Sequence, residues 1–304
     1  MLDAMAGRSA APAADPIVSA RAGLDAMFTH AHAPAVSATD RTVPSPDGEI
    51  PVRIYTPDNS GTDERLPLLV FFHGGGFMAG SIRSHDGTAR EICAQAHAIV
   101  VSVEYRLAPE HKFPAAAEDC YAALLWVAAN ASELGGDATR LAIGGDSAGG
   151  NLAAGVALMN RDRGGPALAL QVLVYPVIDP ACATPSATAN SEGYMLTTAS
   201  MQWMWSLYVN GPDDYANPYA APIAAASLAG LPPALVITAE FDPLRDEGEA
   251  YGRALAAAGV DAKVSRYDGM IHGFASFFDL TPRAAEAAGE IADALRVAWA
   301  RAAA

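Results

Sequence analysis

The stretch LAIGGDSAGGNLAAGVAL, residues 141–158, limits what this chain can fold into more than any other. It sets five glycines around Ser147. A core strand favours Val and Ile and a helix interior avoids Gly, so the run breaks both habits at once. A strand that turns sharply into a helix reconciles them. In Gly145-Asp146-Ser147-Ala148-Gly149 only small neighbours let the two elements approach, and the serine at the apex takes a strained backbone conformation. Such a turn exposes the hydroxyl at the carboxyl end of a sheet, where open α/β folds bind ligands. The helix N-terminus below it favours developing negative charge. A phosphate-binding glycine loop is the competing reading, but the GxGxxG spacing and the Walker lysine are both missing.

The rest of the chain supplies such a sheet. The runs LPLLVFF (66–72), AIVVSV (98–103), LAIGG (141–145), LQVLVYPV (170–177) and ALVITAE (234–240) are nearly continuous in apolar residues, as strands covered on both faces should be. Between them DGTAREICAQA, AAAEDCYAALLWVAANASELG and LRDEGEAYGRALAAAG read as helices, the last stopped by Gly259. A final helix opens at Pro282. This alternation predicts an α/β fold, a mostly parallel sheet flanked by helices. DRTVPSPDGEIPVRIYTP predicts an antiparallel hairpin at the sheet edge, turning at Pro46-Asp47-Gly48. Two segments break the pattern. Residues 1 to about 40 suggest one or two helices, and residues 181 to about 222 form a long, aromatic insertion. Together they are expected to make a small helical cap on a single domain spanning residues 1–304.

Composition narrows the partners. Acidic residues outnumber basic ones 34 to 19, and the net charge of −15 repels nucleic acid and anionic membrane surfaces. Cys93, Cys120 and Cys182 have neither disulfide nor zinc spacing, so no metal is expected and each reads as a small buried residue. The N-terminal MLDAMAGRSAAPAADP lacks the basic and apolar regions of a signal peptide. No apolar run reaches membrane-spanning length. A cytoplasmic chain without stable membrane insertion is the expectation.

A serine hydroxyl needs a base to act as a nucleophile. His30 and His32 lie in the N-terminal segment, and His97 and His111 flank helices ahead of the serine. His73, beside three glycines, suits a structural role. His272 differs, because it follows the last strand-like run, DAKVSRYDG, in the loop MIHGF. A base must be neutral to accept a proton, so activity should fall on the acid side. The orienting acid should lie between serine and histidine in the chain. Asp242 directly follows ALVITAEF and precedes Pro243; Asp179, after LVYPVI, is its competitor, and Asp246 suits a helix cap or a solvated position. The chosen acid, Asp242, would accept the second ring N–H of His272 and fix its tautomer. In FFHGGGF (71–77), the amides of Gly75 and Gly76, with that of Ala148, would form an oxyanion hole, each donor worth about 3 kcal/mol to the transition state.

With these pieces assembled, the sequence closely resembles the hormone-sensitive-lipase-like (bacterial family IV) carboxylesterases, within the α/β-hydrolases. The segments that carry the resemblance are HGGGF, VSVEYRLAPEHKFPAA, GGDSAGGNLA, AEFDPLRDEG and IHGF, from residue 71 to 274. The resemblance implies an α/β-hydrolase fold, a Ser147–Asp242–His272 triad, an oxyanion hole of Gly75, Gly76 and Ala148, and a cap from the two irregular segments. Asp146 places the chain in the GDSAG subgroup, and no catalytic position departs from the pattern. Glu104, Arg106 and His111 are expected to form one supporting network under the site. The run TTASMQWMWSLY aligns Ser200, Met204 and Leu207 or Tyr208 on one helix face. Met204 is the first candidate to line an acyl pocket, and Phe28 the second. The implied activity is cofactor-free hydrolysis of small-molecule esters with short to medium acyl chains. The same triad would serve an amidase, a lactonase or a deacetylase, and relatives that lose the histidine act as small-molecule receptors. A homodimer through an edge strand suits this architecture, although no residue demands it.

Overall fold

Strands built of Val, Ile, Leu and Phe need cover on both faces, and helices before and after each strand supply it. The computed structural model describes residues 15–28, 34–45, 47–58 and 64–302. His30, His32 and Pro46 of the hairpin turn lie outside them. The described chain runs through α1 (Pro16–Phe28), β1 (Ser37–Ser45), β2 (Gly48–Thr56), β3 (Leu66–Phe72), α2 (Asp86–Ala96), β4 (Ile99–Val103) and α3 (Ala115–Asn130). It continues through β5 (Gly136–Asp146), α4 (Ala148–Asp162), β6 (Leu170–Val174), α5 (Pro185–Ala189) and α6 (Thr198–Tyr208). The last elements are β7 (Ala234–Phe241), α7 (Arg245–Ala257), β8 (Ala262–Ile271) and α8 (Arg283–Ala302).

All eight strands form one sheet in the order β1-β2-β4-β3-β5-β6-β7-β8. The hairpin β1–β2 is antiparallel and pairs antiparallel with β4; every later pair is parallel. The alternation of side chains along β3 divides the core. Leu68, Val70 and Phe72 face a layer with Leu124 of α3 and Leu152 of α4. Leu69 and Phe71 face the other layer, with Ile92 of α2 and Ile291 and Leu295 of α8. Cys93, Cys120 and Cys182 are free and buried. Among the described residues no helix is long and apolar enough to cross a membrane.

Four boundaries differ from the sequence-based expectation. β5 begins at Gly136 and ends at Asp146, because the Arg- and Thr-bearing run before LAIGG still pairs at Gly136 with Leu66. β6 stops at Val174 rather than residue 177, because Tyr175 takes φ +34° and Pro176 has no N–H for a ladder. α3 ends at Asn130, and the chain reverses through Gly135 at φ +79°. β1 begins at Ser37, so the sheet starts inside the N-terminal segment.

Candidate active site

The turn after β5 holds Ser147 at φ +55°, ψ −118°, a region that L-residues avoid. Tight packing enforces it. A Cβ on Gly149 would lie 2.0 Å from the Phe72 carbonyl oxygen, and one on Gly145 would lie 2.4 Å from that of Gly149. The Ser147 amide donates to the Val174 carbonyl at 2.8 Å, and α4 starts one residue later. Its side chain therefore stands at the carboxyl edge of the sheet.

His272 arrives there from the end of β8, followed by Gly273 at φ +81°. Its Nε2 lies 3.0 Å from Ser147 Oγ, and its Nδ1 lies 2.7 Å from Asp242 Oδ2. Asp242, fully buried at the end of β7, accepts the Leu244 amide on its other oxygen at 2.9 Å. A carboxylate only accepts, so Nδ1 carries the proton and Nε2 presents a lone pair to the serine hydroxyl. The Tyr175 ring packs 4.6 Å from the imidazole and limits its rotation.

The competing acids lie elsewhere. Asp179 accepts the Ala181 amide at 2.9 Å within its own turn. Asp246 pairs with Arg245 and accepts the Ser186 amide at 2.8 Å, so it ties α5 to α7 instead of capping or facing solvent. The neighbouring Glu247 went unnoticed in the sequence. It is buried and accepts the amides of Ile178 and Asp179 at 2.7 and 3.2 Å, and burial pushes its carboxyl up to about 8.

After β3 the chain leaves the sheet through Gly74, Gly75 and Gly76. Gly75 takes φ +127° with its Cα against the Ala79 carbonyl, and Gly76 takes φ +61° under the Met204 sulfur. A Cβ would lie 2.1 Å from the first, a backbone atom that cannot turn away, and 2.2 Å from the second, which would have to shift. Among the described residues no acceptor takes the N–H of Gly75 or Gly76. Ala148 opens α4, whose leading amides have no intrahelical acceptor. His73 is fully buried, with Nδ1 2.9 Å from the Gly74 carbonyl oxygen and its ring stacked 4.3 Å from Tyr105. Burial pushes its imidazole down to about 3, so it holds the loop as a neutral group.

Above these groups lies a cavity of about 350 Å³, lined by Leu24, Met27 and Phe28 of α1 together with Met195, Trp203 and Met204. Phe28 stacks 5.3 Å from Phe277 and 5.6 Å from His85. On α6, Ser200 and Met204 face the cavity, while Tyr208 is buried against Phe77 at 3.8 Å. A capping box at Thr197 and Ser200 starts that helix. His85, Trp203 and Met195 also line the cavity and were not singled out in the sequence. His85 immediately precedes α2, and no motif in the sequence marks its ring.

The expected network of Glu104, Arg106 and His111 is divided. Glu104 accepts the Ile82 amide at 2.7 Å, whereas Arg106 grips buried Asp119 with two bonds of 2.8 Å and reaches Asp47 at 3.2 Å. His111 lines a separate surface hollow with Arg21 and Glu110. Among the described residues no cluster of three or more His, Cys, Asp or Glu side chains could hold a metal ion.

Comparisons with known proteins place the fold in a family. Residues 69–276 match a family described as alpha/beta hydrolase fold. The carboxylic ester hydrolase LipN of Mycobacterium tuberculosis is 44% identical over 290 residues, 93% of this chain and 76% of that protein. Carboxylesterase NlhH of the same species is 44% identical over 290 residues, covering 93% and 90%. The hyperthermophilic esterase of Pyrobaculum calidifontis superposes with a TM-score of 0.88 at 44% identity, over 92% of this chain and 93% of that one. The chain is therefore a hydrolase, and it belongs to the hormone-sensitive-lipase-like branch of the α/β-hydrolase family.

Proposed function

We propose that this chain is a serine carboxylesterase that cleaves short- to medium-chain acyl esters through an acyl-enzyme on Ser147. One observation carries the reading: a continuous run from Asp242 through His272 to Ser147, at 2.7 and 3.0 Å, beside a loop of unpaired glycine amides. His272 takes the hydroxyl proton as Ser147 attacks the ester carbonyl, and Asp242 stabilises the imidazolium. The amides of Gly75, Gly76 and Ala148 receive the oxyanion. His272 then gives its proton to the departing alcohol, and a water molecule repeats the sequence on the acyl group.

The cap in this reading consists of the N-terminal helix α1 and the segment 181–222. Its thioethers and rings make the wall an acyl chain would touch, with Met204 against Gly76 and Phe28 against Gly273. Methionine adapts to varied apolar shapes, which favours breadth within a limited length. At about 350 Å³ the cavity is near the lower end for ligand sites, which sets that limit. Turnover of p-nitrophenyl esters from acetate to palmitate tests this. The specificity constant should peak at about four to eight acyl carbons and fall about tenfold or more by sixteen, with the matching p-nitroanilides slower throughout. A rate that climbs with chain length, jumping where substrate aggregates, would instead mark a lipase surface.

A further inference from the structure

The pairing of β3 with β5 ends at the rung Phe72–Gly145. Beyond it the glycine loop must leave the sheet and still keep station beside Ser147. The next tie between the two segments is made by a side chain. The Gly74 amide donates to Asp146 Oδ1 at 2.9 Å. A Cβ on Gly74 would lie 2.5 Å from Asp146 Oδ2 and 3.0 Å from the Asp146 carbonyl oxygen, so the carboxylate lies close against the Gly74 backbone.

We propose that Asp146 is a positioning residue for ester hydrolysis, which holds the Gly74 N–H and thereby aims the Gly75 and Gly76 amides at the carbonyl oxygen that Ser147 attacks. The proposal rests on the reading of Ser147 as the nucleophile. Its logic is rotational. Gly75 and Gly76 occupy backbone regions open mainly to glycine, and an untied run of such residues can turn its N–H groups away from the site. Oxyanion donors contribute only when they already point at the position the oxyanion will take. Asp146 is bonded directly to Ser147 in the chain, so nucleophile and anchor move as one unit.

The anchor is itself held. Asp146 is 4% exposed, and the Gly74 amide, closer to Asp146 Oδ1, also reaches His85 Nε2 at 3.3 Å, a nitrogen 3.4 Å from that same Oδ1. His85 Nδ1 lies 2.9 Å from Ser84 Oγ, whose hydroxyl donates to the Ser81 carbonyl at 3.0 Å. The His85 ring stacks on Phe28 of α1 and meets His73 of the glycine loop at a tilt, with centroids 5.6 Å from each. Burial alone would raise the Asp146 carboxyl, but the His85 imidazole and the Gly74 amide outweigh it and keep the group below its ordinary value. It is then an acceptor with no proton to donate, as the Gly74 contact requires.

The test compares wild type with Asp146→Ala and Asp146→Asn. Each is assayed on p-nitrophenyl butyrate and titrated with an alkyl trifluoromethyl ketone, which becomes an oxyanion when Ser147 adds to it. Asp146→Ala should lower kcat about 10- to 100-fold with KM within about threefold, and weaken the ketone by the same factor as kcat. Asp146→Asn keeps a carbonyl acceptor and should recover most of both losses. A folded Asp146→Ala that binds the ketone as wild type does overturns the proposal. If Asp146→Ala does not fold, the Gly74 resonance of ¹⁵N-glycine-labelled protein decides between wild type and Asp146→Asn. It should shift with the change of acceptor, and an unmoved Gly74 signal overturns the proposal equally. Wild-type protein that neither hydrolyses the ester nor binds the ketone would defeat the Ser147 reading instead.

Discussion

Ser147→Ala is expected to lower kcat for ester hydrolysis by about 10⁵- to 10⁶-fold while the protein stays folded. The hydroxyl is the only group removed, and among the described side chains its partner is His272 Nε2. Water would have to attack in its place, with the oxyanion donors and the cavity still present, so a residual rate about 10³-fold above solution should remain. The fold should tolerate the change because the Ser147 amide still donates to Val174 and its carbonyl still accepts from Asn151 and Val177. Alanine takes over a positive φ whose strain Ser147 already bears, so the substitution adds little. A thermal melt together with single-turnover rates checks both halves. A folded variant retaining more than a tenth of the activity would exclude Ser147 as nucleophile.

Gly149→Ala is expected to cost about 3–5 kcal/mol of stability and to abolish most activity. The added methyl would meet backbone on every side: 2.0 Å from the Phe72 carbonyl oxygen, 2.6 Å from its carbon and 2.7 Å from the His73 oxygen. No side-chain rotation relieves contacts with backbone. Relief requires α4 to move off the end of β3, which widens the Phe72–Gly145 rung and shifts the glycine loop and the Ser147 turn together. Gly289→Ala is the control. It sits in α8, and its new methyl would meet only the tip of the Gln95 side chain at 3.2 Å. That change should be neutral or stabilising by up to about 1 kcal/mol. Denaturant unfolding of the two variants measures the contrast. Equal midpoints would mean that the close approach of α4 to β3 is not what shapes the turn.

Why these positions could be found in the sequence follows from backbone chemistry. A glycine at 145 or 149 is written into the chain because a Cβ cannot exist there, and a histidine just past the last strand can reach over the sheet only from that place. Asp242 directly follows the strand run ALVITAEF, but Asp179 also lies beyond a strand and also precedes a proline, so the chain left it as a competitor that only its turn onto its own loop removes. Contacts made by side chains across long separations leave no such mark. The tie from Asp146 to Gly74 spans 72 residues, and the bond from Glu247 to Ile178 spans 69. Nothing in HKFP or EYRL reveals that Arg106 will grip Asp119 while Glu104 holds an amide of another loop. The end of β6 was misplaced for a related reason. LQVLVYPV is nearly continuous in apolar residues, so the break at Pro176 was passed over, and the positive φ at Tyr175 shows where the ladder stops.

The central claim is that the ester's acyl group passes through a covalent bond to Ser147 while His272 shuttles the proton. Mixing excess p-nitrophenyl butyrate with the protein, quenching in acid within milliseconds and mapping peptides by mass tests it most directly. A butyryl group on the peptide bearing Ser147, formed with one equivalent of p-nitrophenol per chain and absent from Ser147→Ala, is the predicted result. Sustained hydrolysis by wild type with every peptide unmodified, and with no early release of p-nitrophenol under conditions where deacylation is slowed, would contradict it.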